Sequence, residues 1–275
     1  MKAADFDYER PDDIDTALAL LAQSDRDPAL LAGGQSLMPM MNFRMAQPGL
    51  LIDLGGIDRL RGIFSRPDHV GVGAMTPYCD LAASEDIATH VPLLAMALPH
   101  IAHEAIRNRG TIGGSLALAD PAAELPAMAL ALDAIIHVQG LSGPRDIPAD
   151  DMFLGTYETS LNEGELITAV SFPKATDDDR FGFHEITRRH GDYAMAGVAI
   201  SHTRSGHRIA FFGVSDRPMR SRTAEAILDE NPTATKAACA ALDDLDIQGD
   251  LNGNEKTKRH LAGVTLRNAL SEMVQ

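Results

Sequence analysis

A chain of 275 residues with 45% hydrophobic content can bury a substantial core, as one large domain or two to three smaller ones. With 24 Lys plus Arg against 39 Asp plus Glu the formal net charge is -15, a surface that repels nucleic acid and anionic membranes and argues against both as partners. Cys79 and Cys239 stand alone without Cys-x-x-Cys spacing, which excludes a self-contained iron–sulfur or structural zinc cluster and fits a reducing compartment. Residues 1–13 are polar and acid-rich, against a secretory signal, and no run of ~18 apolar residues offers a membrane span, so a cytoplasmic protein is expected.

Along the chain, Phe6 and Tyr8 suggest a short strand closed by Pro11. Ile14, Ala17, Leu18 and Leu21 then follow the i, i+3, i+4, i+7 spacing of a one-sided helix. Residues 29–32 read as a buried strand ending at Gly33-Gly34, followed by a short helix over 36–44 despite Pro39 and a strand over 50–54. Gly55-Gly56 marks a subdomain boundary. Residues 59–65 and 69–74 read as strands joined by Arg66-Pro67-Asp68, and Thr76 caps a helix with Pro77 at its first position, running to about Ser84. Residues 91–106 are apolar enough for a buried helix interrupted at Pro99. Arg107-Asn108-Arg109-Gly110 ends it and leads into a second pair of glycines. Pro121 begins a helix to about Leu132, residues 134–139 are β-rich, and residues 165–172 alternate like a strand stopped by Pro173. Asp177-Asp178-Asp179 reads as a solvated linker. Strands are expected over 181–188, 194–202 and 207–214, the last two facing each other across the hairpin signal Arg204-Ser205-Gly206. From Ser221 onward the reading is helical, with weak ends around Pro232 and 249–254. The fold class is α+β, in three parts: 1–55, 56–174 and 175–275.

The stretch Ala32-Gly33-Gly34-Gln35-Ser36-Leu37 recurs in outline as Thr111-Ile112-Gly113-Gly114-Ser115-Leu116, each read as following an apolar strand-like run. Paired glycines let backbone amides approach a ligand without a Cβ in the way. Amides and helix N-termini can hold a pyrophosphate without lysine. No lysine occurs between Lys2 and Lys174, which removes the Gly-Lys-Ser/Thr of a P-loop. Arg44, Arg107 and Arg109 are the cations near the two stretches, with surface solubility as the competing account of each. Asp120-Pro121-Ala122-Ala123-Glu124 follows the second stretch at a helix start, where acids suit the helix dipole. In a binding role Glu124, rather than Asp120, would accept hydrogen bonds from a ribose diol. Tyr193, in the polar turn 188–194, either packs on the surface or presents its ring to a flat cofactor.

Other chemistries fit less well. Gly71-Val72-Gly73-Ala74-Met75-Thr76 has the first two glycines of a dinucleotide fingerprint but Thr76 in place of the third. Gly34-Gln35-Ser36-Leu37-Met38 lacks the closing glycine of a nucleophile elbow. His100 and His103, three apart with Glu104 beside them, have no third metal ligand by spacing, so no metal site is expected.

Taken together, 32–37, Arg44-Met45-Ala46-Gln47-Pro48, Ile106-Arg107-Asn108-x-Gly110-Thr111-Ile112-Gly113-Gly114 and Asp120-Pro121-Ala122-Ala123-Glu124-Leu125-Pro126 resemble the FAD-binding medium subunit of molybdenum-containing hydroxylases, the family of carbon monoxide dehydrogenase and xanthine dehydrogenase flavoproteins. The resemblance runs end to end. It implies a vanillyl-alcohol-oxidase-type FAD-binding fold of two subdomains (1–55 and 56–174), then a C-terminal domain (175–275) with a small antiparallel sheet and helices. It implies that Ala32, Gly33, Gly34, Gln35, Ser36 and Leu37, with Thr111, Ile112, Gly113, Gly114 and Ser115, wrap the FAD pyrophosphate. It puts Glu124 on the adenosine ribose, Ile101 and Ile167 along the cofactor, and Tyr193 near the isoalloxazine. Ser115 stands where many members have Asn, removing one amide contact. Two isolated cysteines exclude the extra iron–sulfur cluster that some relatives carry in this subunit.

The resemblance further implies an oxidoreductase subunit with no catalytic residue of its own. Substrate is oxidised at a molybdenum–pterin centre in a large partner, and electrons pass through 2Fe–2S clusters of a small partner to FAD here and on to an external acceptor, in a heterotrimeric arrangement. The competing expectation is a self-sufficient FAD-dependent reductase or oxidase of the same fold, with His190 as a possible proton donor. A scaffold that has lost its flavin is a third, which the intact glycines argue against.

Overall fold

The computed structural model describes residues 2–273, arranged around three principal sheets and a short two-stranded ribbon. The first sheet is parallel, in the order β1 (Asp7–Glu9), β3 (Leu50–Asp53), β2 (Pro28–Leu31). Helix α1 (Ile14–Leu21) starts where Asp13 accepts a hydrogen bond from the Thr16 N–H. Its Ile14, Ala17 and Leu18 share one face and pack against Leu50 and Ile52. β2 is half-buried rather than buried, because it borders a cavity. From it the chain passes into α2 (Leu37–Asn42), which tolerates Pro39 within its first turn.

The second sheet is antiparallel, in the order β4-β5-β10-β6-β7, from β4 (Ile63–Ser65), β5 (His69–Gly73), β6 (Ile135–Gly140), β7 (Gly143–Pro148) and β10 (Leu166–Pro173). Helix α9 (Ala149–Met152) and the ribbon β8 (Phe153–Gly155) with β9 (Glu158–Thr159) lie between β7 and β10. Between β5 and β6 run α3 (Tyr78–Ala82), α4 (Glu85–His90), α5 (Pro92–Ala97), α6 (Glu104–Arg107), α7 (Ile112–Leu118) and α8 (Glu124–Ala131).

Several local expectations give way here. Thr76 caps no helix; its hydroxyl accepts from the Gly62 N–H and donates to the Gly62 carbonyl, and α3 begins after Pro77. The single helix expected over 91–106 is α5, a 3-10 turn at Leu98–His100, then α6, divided again at Ala102 with φ 46°. Residues 59–60 belong to a 3-10 turn instead of β4. Pro121 precedes α8 by a turn that Asp120 ties through the Ala122 N–H. Asp179 is buried rather than solvated, accepting from the Thr176 N–H. β7, with its Pro and charges, carries no strand signal in sequence.

The third sheet is antiparallel, β11 (Arg180–Ile186), β12 (Ala196–Thr203), β13 (Gly206–Phe212) and β14 (Met219–Arg220) in that order. Both of its faces are covered. Ala196, Val198, Ile200, Ile209 and Phe211 meet α10 (Arg222–Glu230), α11 (Thr235–Ala240) and α12 (Glu255–Ser271). Alternate residues Ala199, Ala210 and Phe212 join the core around α8. All eight residues of α8 are buried, and its last carbonyls are capped from the third sheet: Ser201 Oγ donates to Ala131 O at 2.6 Å, Arg208 Nε to Leu130 O at 2.8 Å. Lys258, fully buried in α12, donates to the carbonyls of Met195 and Gly213 and to Asp250. No helix among the described residues is long and apolar enough to cross a membrane.

Candidate functional site

A cavity of about 460 Å³ lies where the first sheet, the second sheet and the α3–α8 helices meet. Residues 32–37 form one wall. After β2 the chain turns at Gly34 (φ +73°), and Gln35 Nε2 locks the turn by donating to Gly33 O at 2.9 Å. Among the described residues, the backbone N–H groups of Gly33, Gly34, Gln35, Ser36 and Leu37 have no acceptor within the chain; internal bonding resumes with Met38 N–H to Gly34 O. A run of unpaired amides on a cavity wall is a receptor for oxyanions.

The second glycine pair is built differently. It follows the short α6, not a strand, and its glycines lie inside α7. Thr111 caps that helix, accepting the Gly114 N–H at 3.2 Å; Ser115 N–H bonds Thr111 O, Ile112 N–H bonds Thr76 O, and Gly113 N–H bonds Ala74 O. Thr111, Gly113, Gly114 and Ser115 still border the cavity. Ile112 does not: its side chain is fully buried in the core. Nor do the key glycines spare room for a ligand. A Cβ on Gly33 would stand 2.1 Å from Arg109 O, and one on Gly113 would stand 2.5 Å from the Ala74 Cβ. Their lack of a side chain lets the two stretches close on each other and α7 close on the residue after β5.

Ile101 and Ile167 supply apolar wall, and Glu124, the first residue of α8, faces the cavity while nearly buried. Burial pushes the Glu124 carboxyl up to about 7, with smaller contributions from Glu185 and Asp120. Tyr193 exposes much of its ring, yet desolvation of its hydroxyl and the nearby Asp120 and Tyr157 push it up to about 12. Glu165, bonded by Arg145 through both carboxylate oxygens at 2.7 Å, is pulled down to about 2.

Glu165 was not among the expected lining residues, although it sits two positions from Ile167 and period-2 geometry would have signalled a shared face. Tyr78 and Met75 also line the cavity without a sequence signal, and Asp120, set aside in favour of Glu124, lines it too. No lysine, arginine or histidine is among the described lining residues. Arg107 instead clamps the carbonyls of Ile101 and Ala102, and the Arg44 side chain reaches the Lys2 carbonyl. His100 and His103 lie in separate elements; the His100 ring bonds Glu185, which raises its pKa, and packs on Phe183. His190 sits against His100, outside the cavity lining.

Residues 4–175 match the family described as the FAD binding domain in molybdopterin dehydrogenase, and residues 181–273 match the CO dehydrogenase flavoprotein C-terminal domain. The chain is 38% identical to subunit alpha of the 6-hydroxypseudooxynicotine dehydrogenase complex of Paenarthrobacter nicotinovorans, over 99% of this chain and 95% of that one. It is also 38% identical to the carbon monoxide dehydrogenase medium chain of Hydrogenophaga pseudoflava, over 97% and 96%. A solved carbon monoxide dehydrogenase from H. pseudoflava, in a form lacking the Mo-pyranopterin moiety of its molybdenum cofactor, superposes with a TM-score of 0.94 over 98% of both chains.

Proposed function

The chain belongs to the FAD-binding flavoprotein family of molybdopterin dehydrogenases, and from that membership we propose that it is the electron-transfer subunit of a molybdenum hydroxylase complex. Electrons from 2Fe–2S clusters of a small partner subunit pass through it to an external acceptor. The organic substrate is oxidised at the molybdenum–pterin centre of a large partner and is not selected by this chain. The complex acts in the cytoplasm.

The observation that carries the reading is the row of amides at 33–37, unpaired among the described residues, on the wall of a cavity whose described lining includes no cation. These residues suit FAD: amides for a pyrophosphate, apolar wall for a ring system, a carboxyl for a diol. When bound, the flavin supplies interconversion of one- and two-electron transfer. The chain's own tasks are to bind and orient. Ala32, Gly33, Gly34, Gln35, Ser36 and Leu37 would hold the pyrophosphate chiefly through backbone donors. Thr111 and Ser115 would add hydroxyls, and Gly113 and Gly114 the close packing behind them. Glu124 would accept the ribose diol, Ile101 and Ile167 would exclude water, and Tyr193 would flank the isoalloxazine. The division into 1–55, 56–174 and 175–275 goes with this reading, and each principal sheet lies within one of those ranges. The self-sufficient alternative would need a proton donor and substrate-binding cations on the cavity wall.

A visible spectrum of the chain, purified alone and with co-expressed partners, tests the reading. Flavin absorbance with no unaided oxidation of small organic substrates is the expected result. Absence of flavin from both samples would overturn it, and a yellow chain that turns over substrate alone would favour the alternative.

A further inference from the structure

Outside the cavity wall, Tyr157 occupies the turn of the β8–β9 ribbon in a left-handed conformation, φ +56°, that a bulky residue rarely adopts. The turn is pinned on one side, where Thr156 Oγ1 donates to the Asp216 carbonyl at 3.2 Å. The residue is 59% exposed, so burial of apolar surface does not offset the strain of its conformation. Its hydroxyl instead reaches inward and donates to Asp120 Oδ2 at 3.2 Å. Asp120 is buried and lines the cavity; its other oxygen accepts the Ala122 N–H at 2.9 Å. Its backbone is fixed as well, between Ala119 with φ +52° and Pro121, whose carbonyl accepts the Gly213 N–H.

A carboxylate at that position is an electrostatic problem for the proposed ligand. The described lining residues include no lysine, arginine or histidine to offset it, while a flavin dinucleotide carries a charged pyrophosphate. Hydrogen bonds are then the local means of holding the Asp120 charge, and Tyr157 and the Ala122 amide provide them. We propose that Tyr157 is a positioning residue for the cofactor: from a strained turn outside the cavity it restrains and compensates the Asp120 carboxylate, so that the wall accepts an anionic flavin dinucleotide. The inference rests on the FAD reading above and adds to it a residue that never touches the ligand.

The sign of the effect makes it testable in the full complex, by following FAD release after dilution through the recovery of flavin fluorescence. Y157F keeps the ring and loses the donor, so FAD should leave about tenfold faster, the scale of a lost hydrogen bond to a charged group. D120N removes the charge that needs compensation, so D120N should retain FAD at least as well as the unaltered complex, and Y157F/D120N should return to the unaltered rate. Y157G, in which glycine suits the left-handed turn, should keep the unfolding midpoint and still release FAD quickly. A Y157F rate within twofold of the unaltered complex, or a double variant as fast as Y157F alone, would overturn the proposal. An unaltered complex without flavin would instead overturn the FAD reading on which it stands.

Discussion

The two glycine pairs share a sequence outline and divide the labour between them. Among the described residues the N–H groups of 33–37 have no acceptor, and these residues line a cavity; at 112–115 every N–H is engaged with Thr76, Ala74 or Thr111. On the proposed reading the first stretch would offer donors to a ligand, while the second is bonded into the surrounding chain. Similar sequence therefore does not mean similar use: the deciding fact is whether a carbonyl from elsewhere in the chain has reached the amide first.

The glycines themselves should not separate the two stretches, because each is required by protein packing. Gly33→Val and Gly113→Val should both destabilise the fold by about 3 kcal/mol, the upper range for forced overpacking. Thermal unfolding of the chain checks this, and a stable Gly33→Val chain that has merely lost FAD would restore the view that Gly33 makes room for ligand. Next in size is Glu124, carried by α8 just beyond the second pair. Its carboxyl is raised to about 7 in the fold against an ordinary 4.5, so the unfolded chain loses its proton first. Stability is thus highest below the ordinary value and falls as pH rises from 4.5 toward 7. At about 1.4 kcal/mol per unit this approaches about 3 kcal/mol in the absence of cofactor. Glu124→Gln should flatten that part of the profile of unfolding midpoint against pH, and an unchanged slope would remove Glu124 from the account.

Smaller effects draw the sharpest line. Thr111→Ala deletes the cap of α7 and should cost about 1 kcal/mol. Ser36 makes no side-chain cap, so Ser36→Ala should stay within about 0.5 kcal/mol. Inorganic pyrophosphate should raise the unfolding midpoint of the cofactor-free chain, and most of that rise should survive in Thr111→Ala, which loses one hydroxyl while the unpaired amides are on the other stretch. Loss of the pyrophosphate effect in Thr111→Ala would place anion binding on α7 instead.

Local periodicity carried much of the fold. The spacing of Ile14, Ala17 and Leu18 marked α1, the alternation ending at Pro173 marked β10, and Arg204-Ser205-Gly206 marked the hairpin whose register pairs Thr203 with Gly206. What escaped was set by distant partners. Thr76 looks like a cap until Gly62 claims its hydroxyl, and residues 91–106 look like one helix because the apolar run 91–98 is continued by Ile101, Ala102, Ala105 and Ile106. In the site, the cavity-lining positions of 32–37, Glu124 and Tyr193 followed from family motifs. The fate of individual amides, the core placement of Ile112 and the inward reach of Tyr157 did not, because each depends on residues far away in sequence.

The capping of α8 by Ser201 and Arg208 also bears on the order in which the protein matures. Synthesis proceeds from the N-terminus, so the helix is complete while the side chains that satisfy its last carbonyls are still untranslated. Until β12 and β13 arrive, the last carbonyls of α8 lack these donors and the face it turns to the third sheet is uncovered. The amides of 33–37 are made early, but the wall opposite them is finished late. A fragment ending before Arg180 would lack Gly191, Asp192 and Tyr193 of the cavity lining and both side chains that cap α8.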